Sequence, residues 1–131
     1  MARAETTGGN FTFMVNEVAP GAGPALHRHG GEDEMYFILD GTFRFRLGDD
    51  VLPALPGAFV YIPKRTQHCF QNTSDTTGRF LVMFTPAGME RYFEAQAGLP
   101  PGTMDSAEHR QVAQANGMEV LGPPLAVTHP L

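Results

Sequence analysis

The chain has 131 residues, enough for one domain with a substantial core. Apolar residues make up 42% and charged residues 18%, and the formal net charge of −5 comes without any run of lysine and arginine. That balance argues against nucleic acid and anionic membrane surfaces as partners, and no apolar stretch approaches the roughly 20 residues of a membrane-spanning helix. Cys69 is the single cysteine, so an intrachain disulfide is impossible, which suits a reducing cytoplasm. The first residues, Met1 to Gly9, lack an apolar leader core and predict a flexible start over 1–10.

Phe11 to Val18 alternates apolar and polar residues, predicting a strand with Phe11, Phe13 and Val15 on one face. A Pro/Gly loop over 20–24 leads to a short strand, Leu26 to His29. Glu34 to Leu39 carries apolar residues on both faces, the pattern of a central strand, with Glu34, Tyr36 and Ile38 pointing one way. Asp40-Gly41 is a hairpin signal, after which Phe43, Phe45 and Leu47 alternate with Arg44 and Arg46. Pro53 assigns Val51 to Leu55 to a sheet edge, and Ala58 to Ile62 reads as a buried strand. His68 to Gln71, with His68 and Phe70 on one face, and Arg79 to Phe84 complete the strands. Short strands between Gly/Pro turns predict an all-β barrel or sandwich over 11–85.

The segment 86–131 differs. Met89, Tyr92, Phe93 and Gln96 recur at helical spacing, predicting an amphipathic helix over Pro86 to Ala97 that stops at Gly98. It caps one end of the β-structure through Tyr92 and Phe93 or packs on a sheet. Asp105 with Glu108 is a capping-box pattern for a second helix ending near Gly117. Met118 to Leu121 predicts an edge strand, and the last residues read as extended or frayed.

Chemistry concentrates in two stretches. The first runs Gly21, five residues, His27-Arg28-His29, four residues, Glu34, six residues, Gly41. One-residue spacing on a strand puts both imidazoles on one face, and the glycines at 30 and 31 let the chain bend Glu34 back toward them. The second runs Gly57, five residues, Pro63, then His68, three residues, Asn72. Three imidazoles and a carboxylate suit one divalent transition ion among Fe, Mn, Co, Ni, Cu and Zn, with coordination positions left open for substrate.

The two stretches resemble the paired motifs of the cupin superfamily, G-x5-H-x-H-x(3,4)-E-x6-G and G-x5-P-x-G-x2-H-x3-N. Arg65 is the one departure, standing where the second motif has glycine. The resemblance implies a jelly-roll β-barrel followed here by short C-terminal helices, with His27, His29, Glu34 and His68 as the metal ligands. Small single-domain cupins related to quercetin dioxygenase use such a site on dioxygen and a phenolic, enolic or polyketide-like molecule. The same ligands serve non-oxidative isomerases, cyclases or lyases, and a non-catalytic small-molecule binder is the third reading. Glu34 is either a fixed ligand or a base that takes a substrate proton.

Phe13, Tyr36, Phe70 and Met83 are candidates for the substrate-pocket wall. Arg65 implies either an altered turn or a cation at the cavity mouth. Cys69, one residue from His68, reads as a packed thiol. The family resemblance also implies a homodimer, with an exposed edge strand as one means of pairing.

Overall fold

The computed structural model describes residues 1–100 and 106–131. Among the described residues nine strands and four short helices follow in the order α1 (Ala4–Thr7), β1 (Thr12–Val18), β2 (Leu26–His29), β3 (Asp33–Asp40), β4 (Phe43–Leu47), β5 (Asp50–Ala54), β6 (Phe59–Ile62), β7 (His68–Asn72), β8 (Gly78–Thr85), α2 (Glu90–Ala97), α3 (Ala107–Ala115), β9 (Met118–Gly122) and α4 (Leu125–Thr128). The strands pair antiparallel in two sheets, ordered β1–β8–β3–β6 and β5–β4–β7–β2–β9. Among the described residues no ladder joins one sheet to the other, so the expected closed barrel is corrected to two facing sheets. The reason lies at the edges: β1, β6, β5 and β9 each pair on one side only, and the chain passes between layers through turns.

Side-chain alternation fills the space between the sheets. Ile38 and Phe80 from one sheet and Phe43 and Phe45 from the other are at most 1% exposed. Tyr36 packs edge-on against Phe45 and Phe80 at centroid distances of 5.0 and 4.9 Å, and Phe43 meets Phe80 at 5.5 Å. Each such ring contributes about 1.5–3 kcal/mol by burial. β3 is interior to its sheet and β5 lies at an edge, as their sequence patterns predict. Gly23 permits the loop before β2 to lie on β7: a Cβ there would come within 1.9 Å of the Phe70 carbonyl oxygen. Asn72 is buried and ties the turn after it, donating to the Val18 and Thr76 carbonyls and accepting from the Ser74 N–H.

Two strands depart from expectation. In β1 the buried face is Thr12 and Met14, and Phe13 and Val15 point outward. Period-2 patterning defines two faces without saying which is inside; here the Thr12 hydroxyl is drawn in by a 2.5 Å hydrogen bond to Glu90 Oε2. In β6 only Ile62 is buried, so the strand is half-exposed at an edge. The outer face of the four-stranded sheet therefore carries two apolar cross-strand rows. One is Phe13, Met83, Met35 and Tyr61, and the other is Val15, Leu81, Phe37 and Phe59. The next row is charged, with Arg79 paired to Asp40 at 3.1 Å and to Glu17 at 4.0 Å.

The terminal segments are built onto this frame. The start expected to be flexible contains α1, and Ala2 bridges Phe13 on β1. Glu90 anchors both ends of the chain's first and last parts: it accepts from the Ala4 N–H at 2.8 Å, the Thr12 hydroxyl, and the Gly88 N–H at 3.0 Å. Helix α2 starts at Glu90, later than Pro86, while Ser106 caps α3 by accepting from the His109 N–H at 3.1 Å. Asp105, expected in that cap, lies outside the described residues. β9 pairs with β2 as an edge strand. The tail expected to be frayed forms α4 because Leu125 is fully buried beside Leu26 and Cys69.

Arg65 keeps the turn that glycine makes in the motif. Its φ is +68°, and its N–H bonds the His29 carbonyl at 2.7 Å while Asp33 Oδ1 accepts from the Lys64 N–H at 2.8 Å. A left-handed conformation costs a non-glycine residue about 1–2 kcal/mol, partly offset against glycine's greater unfolded-state entropy of about 0.5–1 kcal/mol. Arg65→Gly should therefore stabilise the protein by about 0.5–1 kcal/mol in denaturant titrations; a loss of stability would contradict the strain. At Glu90 burial opposes ionisation, but the Thr12 hydroxyl and the backbone N–H donors outweigh it and hold the carboxyl at about 2 against an ordinary 4.5. The folded value lies below the unfolded one, so its stabilisation is complete above pH 4.5 and is lost as pH falls toward 2. Glu90→Ala should cost about 2–3 kcal/mol at pH 7 and flatten the acid limb of the stability–pH profile.

Candidate metal centre

Three histidines come from the five-stranded sheet and the carboxylate from the sheet opposite. His27 and His29 lie on one face of β2, and Arg28 points outward to Glu119 at 2.9 Å. His68 opens β7 directly across from His27, with ring centroids 4.3 Å apart. Gly30 to Glu32 carries the chain across the gap, and Glu34 on β3 faces inward between Ile62 and Phe84. All four are buried, and one donor atom from each lies within 4.8 Å of the others.

The hydrogen bonds leave particular atoms for an ion. His27 Nδ1 is 2.7 Å from the Ala25 carbonyl and His68 Nδ1 is 2.9 Å from the Thr66 carbonyl, so each ring keeps Nε2 toward the cluster. Carbonyl partners of this kind fix the ligating tautomer. Tyr36 donates to Glu34 Oε1, leaving Oε2 free to ligate. Oε2 stands 3.1 Å from His29 Nε2 and 2.8 Å from His68 Nε2, yet none of these three atoms has an aligned hydrogen bond. Buried polar atoms without partners cost free energy, and a cation bound among them satisfies all three. The donor set therefore fits a divalent transition ion.

The electrostatics agree. Burial drives His27 down to about 3, with His68 and His29 adding to the effect, so the ring is neutral as ligation requires. Burial alone would raise Glu34, but His68 and His29 outweigh it and hold the carboxyl well below the usual range. Burial lowers His68 while the Glu34 charge raises it further, with a net upward shift. Burial and the Glu34 charge push the Tyr36 phenol well above 10, so it remains a donor. Cys69, though next to His68, is buried with its thiol raised, as a packed residue.

His27, His29 and Glu34 of the cluster, with His68 behind them, line a cavity of about 440 Å³, a size that holds one small organic molecule. Tyr36 and Phe70 line it together with Val82 and Phe84. Phe13 and Met83 do not: they are cross-strand neighbours on the outer sheet face, Phe13 because β1 turns Thr12 and Met14 inward and Met83 because β8 turns Phe80, Val82 and Phe84 inward, so both pocket assignments are corrected. Arg65 is likewise absent from the lining. The C-terminal segment closes the cavity with Tyr92, Phe93 and Gln96 of α2, His109 of α3, and Met118 and Val120 of β9. His109 carries no motif; its only sequence signal is its place four residues before Ala113 on the buried face of α3. Among the described residues no helix is long and apolar enough to cross a membrane.

Comparison with known proteins agrees with this architecture. The family model described as the cupin domain matches residues 14–84. A Thermotoga maritima oxalate-binding protein is 31% identical over 71 residues, covering 54% of this chain and 59% of that one. The chain thus spans somewhat over half the length of the curated relatives it matches. A solved Thermotoga maritima structure described as a predicted oxalate decarboxylase superposes with a TM-score of 0.63 at 26% identity, over 66% of this chain and 76% of that one. A sugar phosphate isomerase from Silicibacter pomeroyi gives 0.57 at 25% identity, over 65% and 57%. With the matched residues spanning both ligand stretches and most of the two sheets, the chain belongs to the cupin family.

Proposed function

We propose that this cupin is a metal-dependent enzyme of the dioxygenase type, acting on a small phenolic, enolic or polyketide-like molecule. One observation carries the reading: the buried His27, His29, Glu34 and His68 quartet presents His27, His29 and Glu34 to a cavity whose other walls are mostly aromatic and aliphatic. The lining among the described residues contains no lysine or arginine, the side chains that read a dicarboxylate or a phosphate. The oxalate and sugar phosphate in the relatives' names therefore do not match this wall, and a substrate with an apolar body does.

His27, His29 and His68 would hold the ion through Nε2 and Glu34 through Oε2. A bound divalent transition ion supplies Lewis acidity to a substrate oxygen and, for redox-active metals, reactivity with dioxygen. The protein's own part is orientation and exclusion of water: Tyr36 pins Glu34, and Phe70, Val82 and Phe84 confine the substrate body. With one oxygen bonded by Tyr36 and its charge stabilised by two imidazoles, Glu34 is a poor base, which favours the ligand role. The buried, unreactive Cys69 suits a cytoplasmic setting without requiring it.

Elemental analysis of untagged protein should find about one equivalent of transition metal per chain, lost in His68→Ala. Oxygen uptake with a phenolic and enolic panel should then follow metal loading. Turnover without oxygen consumption would reassign the site to isomerase, cyclase or lyase chemistry, binding without turnover to a non-catalytic binder, and failure to take up any ion would end the metal reading.

We also propose that the chain pairs with a second copy through the outer face of the four-stranded sheet. Its two apolar rows leave Phe37 39% and Phe59 63% exposed, a contiguous patch of the kind that marks interfaces. Identical chains of net charge −5 repel, and these two uncharged rows are where two copies can meet; like sheets pack face to face at about −30°. Wild-type protein should sediment as a dimer and Phe37→Glu as a folded monomer. A monomeric wild type would refute the pairing.

A further inference from the structure

We infer that His109, seated against Tyr92, is a specificity-determining residue: it forms a second polar pole of the metal cavity and binds an oxygen function at the far end of the ligand. The inference rests on the metal-cavity reading above and adds the chemistry of the ligand's other end.

His109 is 1% exposed and lies in the wall of the same cavity as His27, His29 and Glu34. It belongs to α3, beyond the 14–84 segment matched by the family model, so the cupin motifs do not account for it. Its backbone is fixed by the Ser106 cap, and its Nε2 is 2.8 Å from the Tyr92 hydroxyl, with the rings edge-on at 6.1 Å. Nδ1 is the nitrogen that remains, buried and without a hydrogen-bond partner. A histidine serving only to fasten α3 to α2 needs Nε2 alone, and a buried Nδ1 is then a liability. A cavity occupant that bonds Nδ1 removes the liability.

Both tautomers lead to the same ligand chemistry. Where the Tyr92 hydroxyl donates to Nε2, Nδ1 carries the proton and donates to a carbonyl, enolate or carboxylate oxygen. Where Nε2–H donates to Tyr92, Nδ1 accepts from a ligand hydroxyl. Beside Gln96, the wall near α2 is made apolar by Phe93 and Phe84, whose rings are 5.9 Å apart. The ligand class is therefore a two-ended molecule: oxygen donors for the ion, a flat apolar middle, and a further oxygen group read by His109.

The test uses the cobalt-loaded full chain and three probes: 4-methylcatechol, 3,4-dihydroxybenzaldehyde and 3,4-dihydroxybenzoate. Binding is followed by calorimetry and by the cobalt d–d bands, whose persistence in each variant verifies the fold. The readout is the affinity of each oxygen-bearing probe relative to 4-methylcatechol, compared between proteins so that the probes' own electronics cancel. In His109→Gln the amide reaches the Nε2 position but leaves nothing at Nδ1; in His109→Asn the reverse holds. For at least one oxygen-bearing probe the relative affinity should fall about tenfold in His109→Gln and persist in His109→Asn, tenfold being the loss of one good hydrogen bond. The opposite order marks a mere helix clamp and overturns the inference, as do equal ratios in all three proteins; either variant alone decides if the other does not fold. Normal cobalt and 4-methylcatechol binding with unmoved ratios defeats this inference only, whereas absent cobalt uptake defeats the metal reading and this inference with it.

Discussion

A carboxylate 2% exposed between two sheets is the constraint around which this protein is arranged. An isolated charge in that position would be prohibitively costly. Glu34 is tolerated because His29 and His68 crowd one oxygen and Tyr36 donates to the other. Since the histidines stand on β2 and β7 and the carboxylate on β3, the cluster also ties the two layers together. Anything that shifts one sheet against the other disperses the quartet, so the close-packed ring cluster of Tyr36, Phe43, Phe45 and Phe80 is part of the site's geometry.

The remaining chain acts on this centre at two distances. The loop at 64–65 bonds directly to β2 and β3, holding both ligand-bearing strands through backbone groups. Farther out, Glu90 joins the N-terminal turn, β1 and the start of α2 by accepting three hydrogen bonds, and α2 in turn sets Tyr92 and Phe93 into the cavity wall. The cavity's chemical character is thus divided. The motif strands provide ligands, and the C-terminal segment provides the wall that an occupant's body meets.

The ligand centre was legible before any coordinates because its information is local. Histidines at i and i+2 on a strand must share a face, and fixed glycine and proline positions define the turns that bring His68 and Glu34 into range. Strand positions followed equally well from alternation and turn residues. Arg65 was legible as an anomaly but not in its outcome, since only its positive φ and the bonds that the Arg65 and Lys64 N–H groups donate to His29 and Asp33 show that the left-handed turn survives the substitution.

What the amino-acid order determined by itself was the set of candidate metal-binding side chains, the two-sheet β class and the approximate strand positions, all of which depend on short-range periodicity. Tertiary structure alone decided which face of β1 turned inward, because both faces carry apolar residues and the choice was made by Glu90, far away in sequence. That choice moved Phe13 from the expected pocket to the outer surface, where Met83 of β8 is its cross-strand neighbour. It was tertiary structure, too, that placed His109 and Tyr92 in the wall of the cavity that His27, His29 and Glu34 line, and left the two sheets open at their edges. These are consequences of long-range packing, in which a side chain's surroundings come from segments that no local pattern connects to it.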